Sequence, residues 1–132
     1  MQNKDLLGAA KAAMLNAYAP YSKFRVGCAL EGESGTVYTG CNVENASYGL
    51  TNCAERVAIG TAVAAGERSF RRIVIVSDSP TPASPCGACR QVLAEFGSYE
   101  VMSYGTDGST TSWLTTELLP GQFILPGSEA RA

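Results

Sequence analysis

The chain has 132 residues, 45% of them apolar, which is enough for one hydrophobic core and too short for two ordinary domains. Its formal charge of -2 comes with no run of Lys or Arg, which excludes the basic footprint that a nucleic-acid backbone demands. Histidine is absent, so a metal must be held by sulfur or carboxylate, and a general base must be something other than imidazole.

In chain order, Asn3 is placed to cap a first helix running to about Tyr18, with Leu6, Leu7, Ala10, Met14 and Leu15 near one face and Pro20 as its stop. The opening MQNKDLLGAAKAAM has no charged region followed by an unbroken apolar stretch. No window reaches the roughly 20 apolar residues of a membrane span, so a cytoplasmic protein without membrane contact is expected. Phe24 to Glu31 and Thr36 to Val43 read as two strands joined through the turn Glu31-Gly-Glu-Ser-Gly35. A polar loop, Asn45 to Asn52, leads to a second helix from Cys53 to Ala65 with Gly66 as its stop. The run Ile73-Val-Ile-Val76 inside Arg72 to Ser77 suits a fully buried strand. A loop with Pro80, Pro82 and Pro85 then opens a third helix, Cys86 to Phe96, closed by Gly97 and followed by a strand from Tyr99 to Tyr104. This alternation argues for an α/β sheet covered on both faces. One domain is expected over residues 1–132, with 126–132 as a tail.

The cysteines carry the chemistry. Their odd number, five, points to reduced thiols or metal ligands rather than a disulfide framework. Cys86 and Cys89 stand three apart at a helix start, on one side of its first turn, where they can share one metal ion. Cys53 opens the other long helix, so all three thiols sit where the helix dipole and free N-H groups favour negative charge. Alone, Cys86-Gly-Ala-Cys89 fits a redox pair or half of a structural zinc knuckle. Cys53-Ala-Glu55, about thirty residues upstream, adds a third thiol and a carboxylate. Together they give the pattern of the zinc deaminases, a His or Cys followed by x-Glu and then Pro-Cys-x-x-Cys. Three protein ligands leave the fourth position of zinc open for water, and Glu55 is close enough to carry protons for that water. Three thiolates also leave surplus negative charge, and Arg56 and Arg90 are expected to offset it by hydrogen-bonding the ligand sulfurs.

Five segments in order, from about Ala19 to Phe123, resemble the small homotetrameric cytidine deaminases. They are Tyr21-Ser-Lys-Phe24-Arg-Val-Gly27, Gly40-Cys-Asn42-Val-Glu44-Asn45-Ala-Ser-Tyr48-Gly49, Cys53-Ala-Glu55-Arg56, Pro85-Cys86-Gly-Ala-Cys89-Arg-Gln91 and Glu117-Leu-Leu-Pro120. The resemblance implies a three-layer α/β/α sandwich around a mixed sheet of about five strands, one zinc per subunit, and a homotetramer. It implies hydrolytic deamination of cytidine and 2'-deoxycytidine in pyrimidine salvage. It also implies that Asn42 and Glu44 hydrogen-bond the ribose hydroxyls, that Phe24 packs on the pyrimidine, and that Ala54 and the segment around Ser84 contact the base through backbone groups. Ala46, Tyr48 and Phe123 would complete a neighbouring subunit's pocket. Cys28 stands where the family usually has a small residue and reads as a buried apolar thiol, while Cys41 reads as core rather than ligand. Residues 126–132 match no motif. The remaining alternatives are a structural-zinc interaction module using Cys28 or Cys41 as a fourth thiol, a thiol redox protein using Cys86 and Cys89, and a deaminase for another aminopyrimidine nucleoside.

Overall fold

The computed structural model describes residues 3–127, and its strands are β1 (Val26–Gly32), β2 (Val37–Cys41), β3 (Phe70–Ser77), β4 (Glu100–Tyr104) and β5 (Thr110–Leu114). They form one sheet in the order β2-β1-β3-β4-β5, parallel between β3 and β4 and antiparallel elsewhere. Helices α1 (Asn3–Met14), α2 (Ala54–Ala64), α3 (Gly87–Ala94) and α4 (Thr115–Leu118) complete the fold. The period of two along the central strands splits the core between two faces. Cys28, Leu30, Ile73 and Ile75 join Ala54, Ala58 and Leu93 on one side, while Ala29, Val74 and Val76 join Leu6 and Ala10 on the other. The expected α/β layering, with helices on both faces of a mixed five-stranded sheet, is what forms. No helix among the described residues is long and apolar enough to cross a membrane.

Two glycines set how closely the helices lie on the sheet. A Cβ at Gly27 would fall 2.2 Å from the Ala10 carbonyl oxygen, so α1 rests directly on the β1 backbone. A Cβ at Gly40 would fall 2.5 Å from both the Ala54 oxygen and the Ala58 nitrogen, so β2 carries the first turn of α2. That contact places Cys53 and Glu55.

Several boundaries differ from the sequence reading. Helix α1 stops at Met14, and Leu15, expected on its buried face, is 70% exposed. The chain tightens through Leu15–Ala17 with i to i-3 hydrogen bonds, then turns so that Tyr18 N-H donates to the Asn42 carbonyl. Asn3 lies within the helix rather than ahead of it, and its side chain, like residues 128–132 of the expected tail, lies outside the described residues. Strand β1 begins at Val26 and β2 ends at Cys41, because the Asn42 side chain occupies the Val26 N-H and the Phe24 carbonyl. Strand β5 and α4 were not read from the sequence. Thr110-Thr-Ser-Trp-Leu114 is an edge strand exposed at four of its five positions, so it has no buried alternation to reveal it. Its junction with α4 is fixed by Glu117, which accepts the Leu114 N-H at 2.7 Å.

The start of β1 is tied to the end of β3 by Arg25, whose N, Nε and Nη2 all donate to the Asp78 carboxylate at 2.9 to 3.1 Å. Those hydrogen bonds hold the Asp78 carboxyl below its ordinary value of 3.8. A depressed carboxyl contributes stability that is present above its unfolded value and lost as pH falls through the folded one. Acid titration of unfolding should therefore show a small loss below about pH 4 that Asp78→Asn removes. Gly40→Ala should lower stability by about 1–3 kcal/mol in denaturant unfolding, since backbone rather than a flexible side chain meets the new methyl; an unchanged midpoint would contradict the close packing of α2.

Candidate functional site

Cys53 and Cys86 occupy the N-cap positions of α2 and α3, and Cys89 lies in the first turn of α3. The three sulfurs fall within 4.8 Å of one another, and Cys53 Sγ is 3.8 Å from Cys86 Sγ. Tetrahedral ligation with zinc-sulfur bonds of about 2.3 Å requires sulfurs about 3.8 Å apart, so the thiols suit a three-cysteine zinc site. Cys28 and Cys41 are outside this cluster. Hydrogen bonding from Cys89 is the largest influence on Cys53, and with Arg56 and Cys86 it lowers that thiol to about 5. Cys89 is pushed up in turn by its hydrogen bond to Cys53 and by burial.

Of the two arginines expected on the sulfurs, only Arg56 is placed there. Its Nη2 lies 3.6 Å from Cys53 Sγ and 3.1 Å from the Thr51 carbonyl. Arg90 instead sends three hydrogen bonds to oxygen: Nε to the Pro85 carbonyl at 2.9 Å, Nη1 to that of Leu118 at 3.1 Å, and Nη2 to Ser84 Oγ at 2.7 Å. The reason is geometric, since Cys89 is turned into the core and the next side chain leaves the helix toward the loop that precedes Cys86.

Beside the thiols is a cavity of about 210 Å³ lined by Phe24, Asn42, Thr51, Ala54, Glu55 and Ser84, together with Val26, Ile75, Ala83, Cys53 and Cys86. Glu55 is buried, 6% exposed, and that burial is the main reason its carboxyl is raised above the ordinary range. Cys28, buried as expected, has its Sγ 4.0 Å from Glu55 Oε1, so it is a neighbour of the carboxylate as well as a core residue. Nothing in the sequence marked that contact, which depends on strand register and on which face of β1 looks toward α2. Cys41 is half-buried rather than part of the core, because it sits at the end of the edge strand β2.

Glu44 does not line this cavity but an adjoining one of about 410 Å³, with Tyr21, Ser22, Asn45 and Tyr48; Thr51 lines both. Ala46, Tyr48 and Phe123 are exposed, Tyr48 by 76% and Phe123 by 65%. Gln91 Nε2 donates to the Phe123 carbonyl at 3.1 Å and so ties that residue's backbone to α3. A larger cavity, about 470 Å³, opens under α1 and contains no carboxylate or thiol.

A family model described as the cytidine and deoxycytidylate deaminase zinc-binding region matches residues 1–105. The chain is 50% identical to a cytidine deaminase of Sporosarcina psychrophila over 93% of its own length and 92% of that protein's. It is 46% identical to one of Halalkalibacterium halodurans, over 93% and 95% of the two chains. The crystal structure of cytidine deaminase from Burkholderia pseudomallei superposes with a TM-score of 0.90 at 50% identity, covering 93% of this chain and all of that one.

Metal analysis of purified variants tests the ligand set. Cys53→Ser, Cys86→Ser and Cys89→Ser should each lower zinc content well below one per chain, whereas Cys28→Ser and Cys41→Ser should retain it. Zinc lost from the latter pair would point to a closed four-sulfur site.

Proposed function

Because the chain belongs to the cytidine and deoxycytidylate deaminase family it is a zinc-dependent cytidine deaminase, and we propose that Glu55 is the group that moves its protons. The observation that carries this assignment is the meeting of a buried carboxylate with two of the three clustered thiols in one cavity. A zinc ion held by Cys53, Cys86 and Cys89 supplies Lewis acidity toward a water molecule. Glu55 takes a proton from the attacking water and returns it to N3 of the pyrimidine as C4 becomes tetrahedral, then takes the proton of the new C4 hydroxyl and delivers it to the departing amino group as the C4 carbonyl forms. Ammonia leaves and uridine remains. Burial suits this task, because it brings the carboxyl's affinity for protons closer to neutrality than an exposed glutamate's. Arg56 withdraws charge from Cys53, and Arg90 fixes the Ser84–Cys86 loop against α4.

We place the pyrimidine between Phe24 and the backbone of Ala54 and Ser84, with the ribose toward Asn42 and Glu44. The residues lining the two cavities include neither Lys nor Arg. That favours uncharged nucleosides, cytidine and 2'-deoxycytidine, over a nucleotide whose phosphate would need a cationic partner. A space of about 210 Å³ is also small beside the roughly 300–1,000 Å³ of ordinary ligand sites. Together with the exposed Tyr48 and Phe123, this supports a homotetramer in which Ala46, Tyr48 and Phe123 close a neighbour's site. A cytoplasmic place in pyrimidine salvage follows from the same reading. The structural-zinc and redox alternatives are less well supported, because neither needs Glu55 buried beside an incomplete ligand set.

An ultraviolet assay of zinc-replete protein with cytidine, 2'-deoxycytidine and deoxycytidylate tests the proposal. Both nucleosides should be converted with release of ammonia, and the nucleotide far more slowly. Glu55→Ala should lose at least about a thousandfold in kcat while keeping its zinc; a variant turning over near the parent rate would remove Glu55 from the mechanism.

A further inference from the structure

We propose that Ser22 is a positioning residue for nucleoside recognition: its hydroxyl locks the Glu44 carboxylate toward the ribose. The proposal rests on the ribose role given to Glu44 above.

The link Tyr21-Ser-Lys-Phe24 precedes β1 without belonging to a helix or strand. Glu44 Oε1 accepts the backbone N-H groups of Tyr21 at 3.0 Å and Ser22 at 3.1 Å, and Oε2 accepts the Ser22 hydroxyl. The Ser22 oxygen in turn accepts the Phe24 N-H at 3.0 Å. One side-chain atom therefore joins the carboxylate to the backbone of the aromatic residue. Between them Lys23 has φ 61°, in the left-handed region that side-chain-bearing residues avoid and hold only where their surroundings enforce it. The Lys23 N-H donates to the Ala19 carbonyl, which closes the turn. On the far side of Phe24, Asn42 Nδ2 donates to the Phe24 carbonyl at 2.8 Å and Asn42 Oδ1 accepts the Val26 N-H at 2.9 Å. Phe24 is thus braced on both sides by the two polar residues of Asn42-Val-Glu44.

Glu44 also retains acceptor capacity. The Ser22 hydroxyl is the largest of the contacts that hold the Glu44 carboxyl below its usual range, so it is ionised and only accepts. Its Oε1 already takes two donors, whereas Oε2 takes one among the described residues and keeps capacity for a ligand hydroxyl. With the serine hydroxyl removed, Oε2 loses the contact that fixes its direction, and Phe24 N-H loses its acceptor.

Steady-state kinetics on zinc-replete protein with cytidine and with 2',3'-dideoxycytidine tests this, using the parent, Ser22→Ala, Ser22→Thr and Glu44→Ala. Ser22→Ala should raise KM for cytidine about tenfold with kcat within about twofold, since binding is lost and the reacting atoms are untouched. The kcat/KM preference for cytidine over the dideoxynucleoside should shrink by a similar factor, and Ser22→Thr should restore both. Thermal melting of each variant checks that it is folded, and Ser22→Gly provides a second removal of the hydroxyl. If Ser22→Ala slows both nucleosides equally, or neither, the proposal is overturned while the ribose role of Glu44 stands. If Glu44→Ala keeps the full preference, the ribose reading itself falls and takes this proposal with it.

Discussion

Three sulfurs within 4.8 Å of each other concentrate negative charge, and the architecture of the site follows from how that charge is accommodated. Two of the thiols are N-cap residues and the third lies in a first turn, so free N-H groups and the positive ends of two helix dipoles face them. Arg56, one turn from Cys53, adds a full positive charge at 3.6 Å. The helices can meet in this way because β2 offers Gly40 as a seat for α2, while the crossover from β3 to β4 delivers α3 alongside. A side chain at position 40 would separate the two ligand-bearing ends before it disturbed any ligand.

Division of labour between the two arginines follows from the same geometry. Each is the residue next to a motif residue, Arg56 after Glu55 and Arg90 after Cys89, yet they serve different partners. Arg56 lies on the sulfur side of α2. Arg90 crosses from α3 to the Ser84 hydroxyl and to the Pro85 and Leu118 carbonyls, so it holds the loop that brings Cys86 into the cluster and fastens α4 to it. One offsets charge directly; the other acts through the backbone that carries a ligand.

Much of this was legible in the sequence because its carriers are local. The spacing of Cys86 and Cys89, the Cys53-Ala-Glu55 triplet and the buried run Ile73–Val76 each report on one turn or one strand, and the helices and strands they predicted are present. What was not legible depends on partners distant in the chain. The end of α1 is decided by the pairing of Tyr18 with Val43, and the start of β1 by the side chain of Asn42. Strand β5 leaned on β4 for its order and carried no apolar period of its own. The Cys28 thiol came to Glu55 through strand register, which no local pattern expresses. Arg90 looked like a sulfur neighbour only as long as adjacency in sequence stood in for direction in space.

The metal ligands also come from opposite sides of β3, the central strand: Cys53 precedes it and Cys86 and Cys89 follow it. A site of this kind cannot exist until β3 is seated, because the two halves are joined only through the strand and the crossover that leaves it. An ion held by all three thiols therefore joins the segment before β3 to the segment after it, and its binding free energy counts toward the stability of the whole sheet. Removing the ion therefore lowers stability most at the two helix starts that it joins.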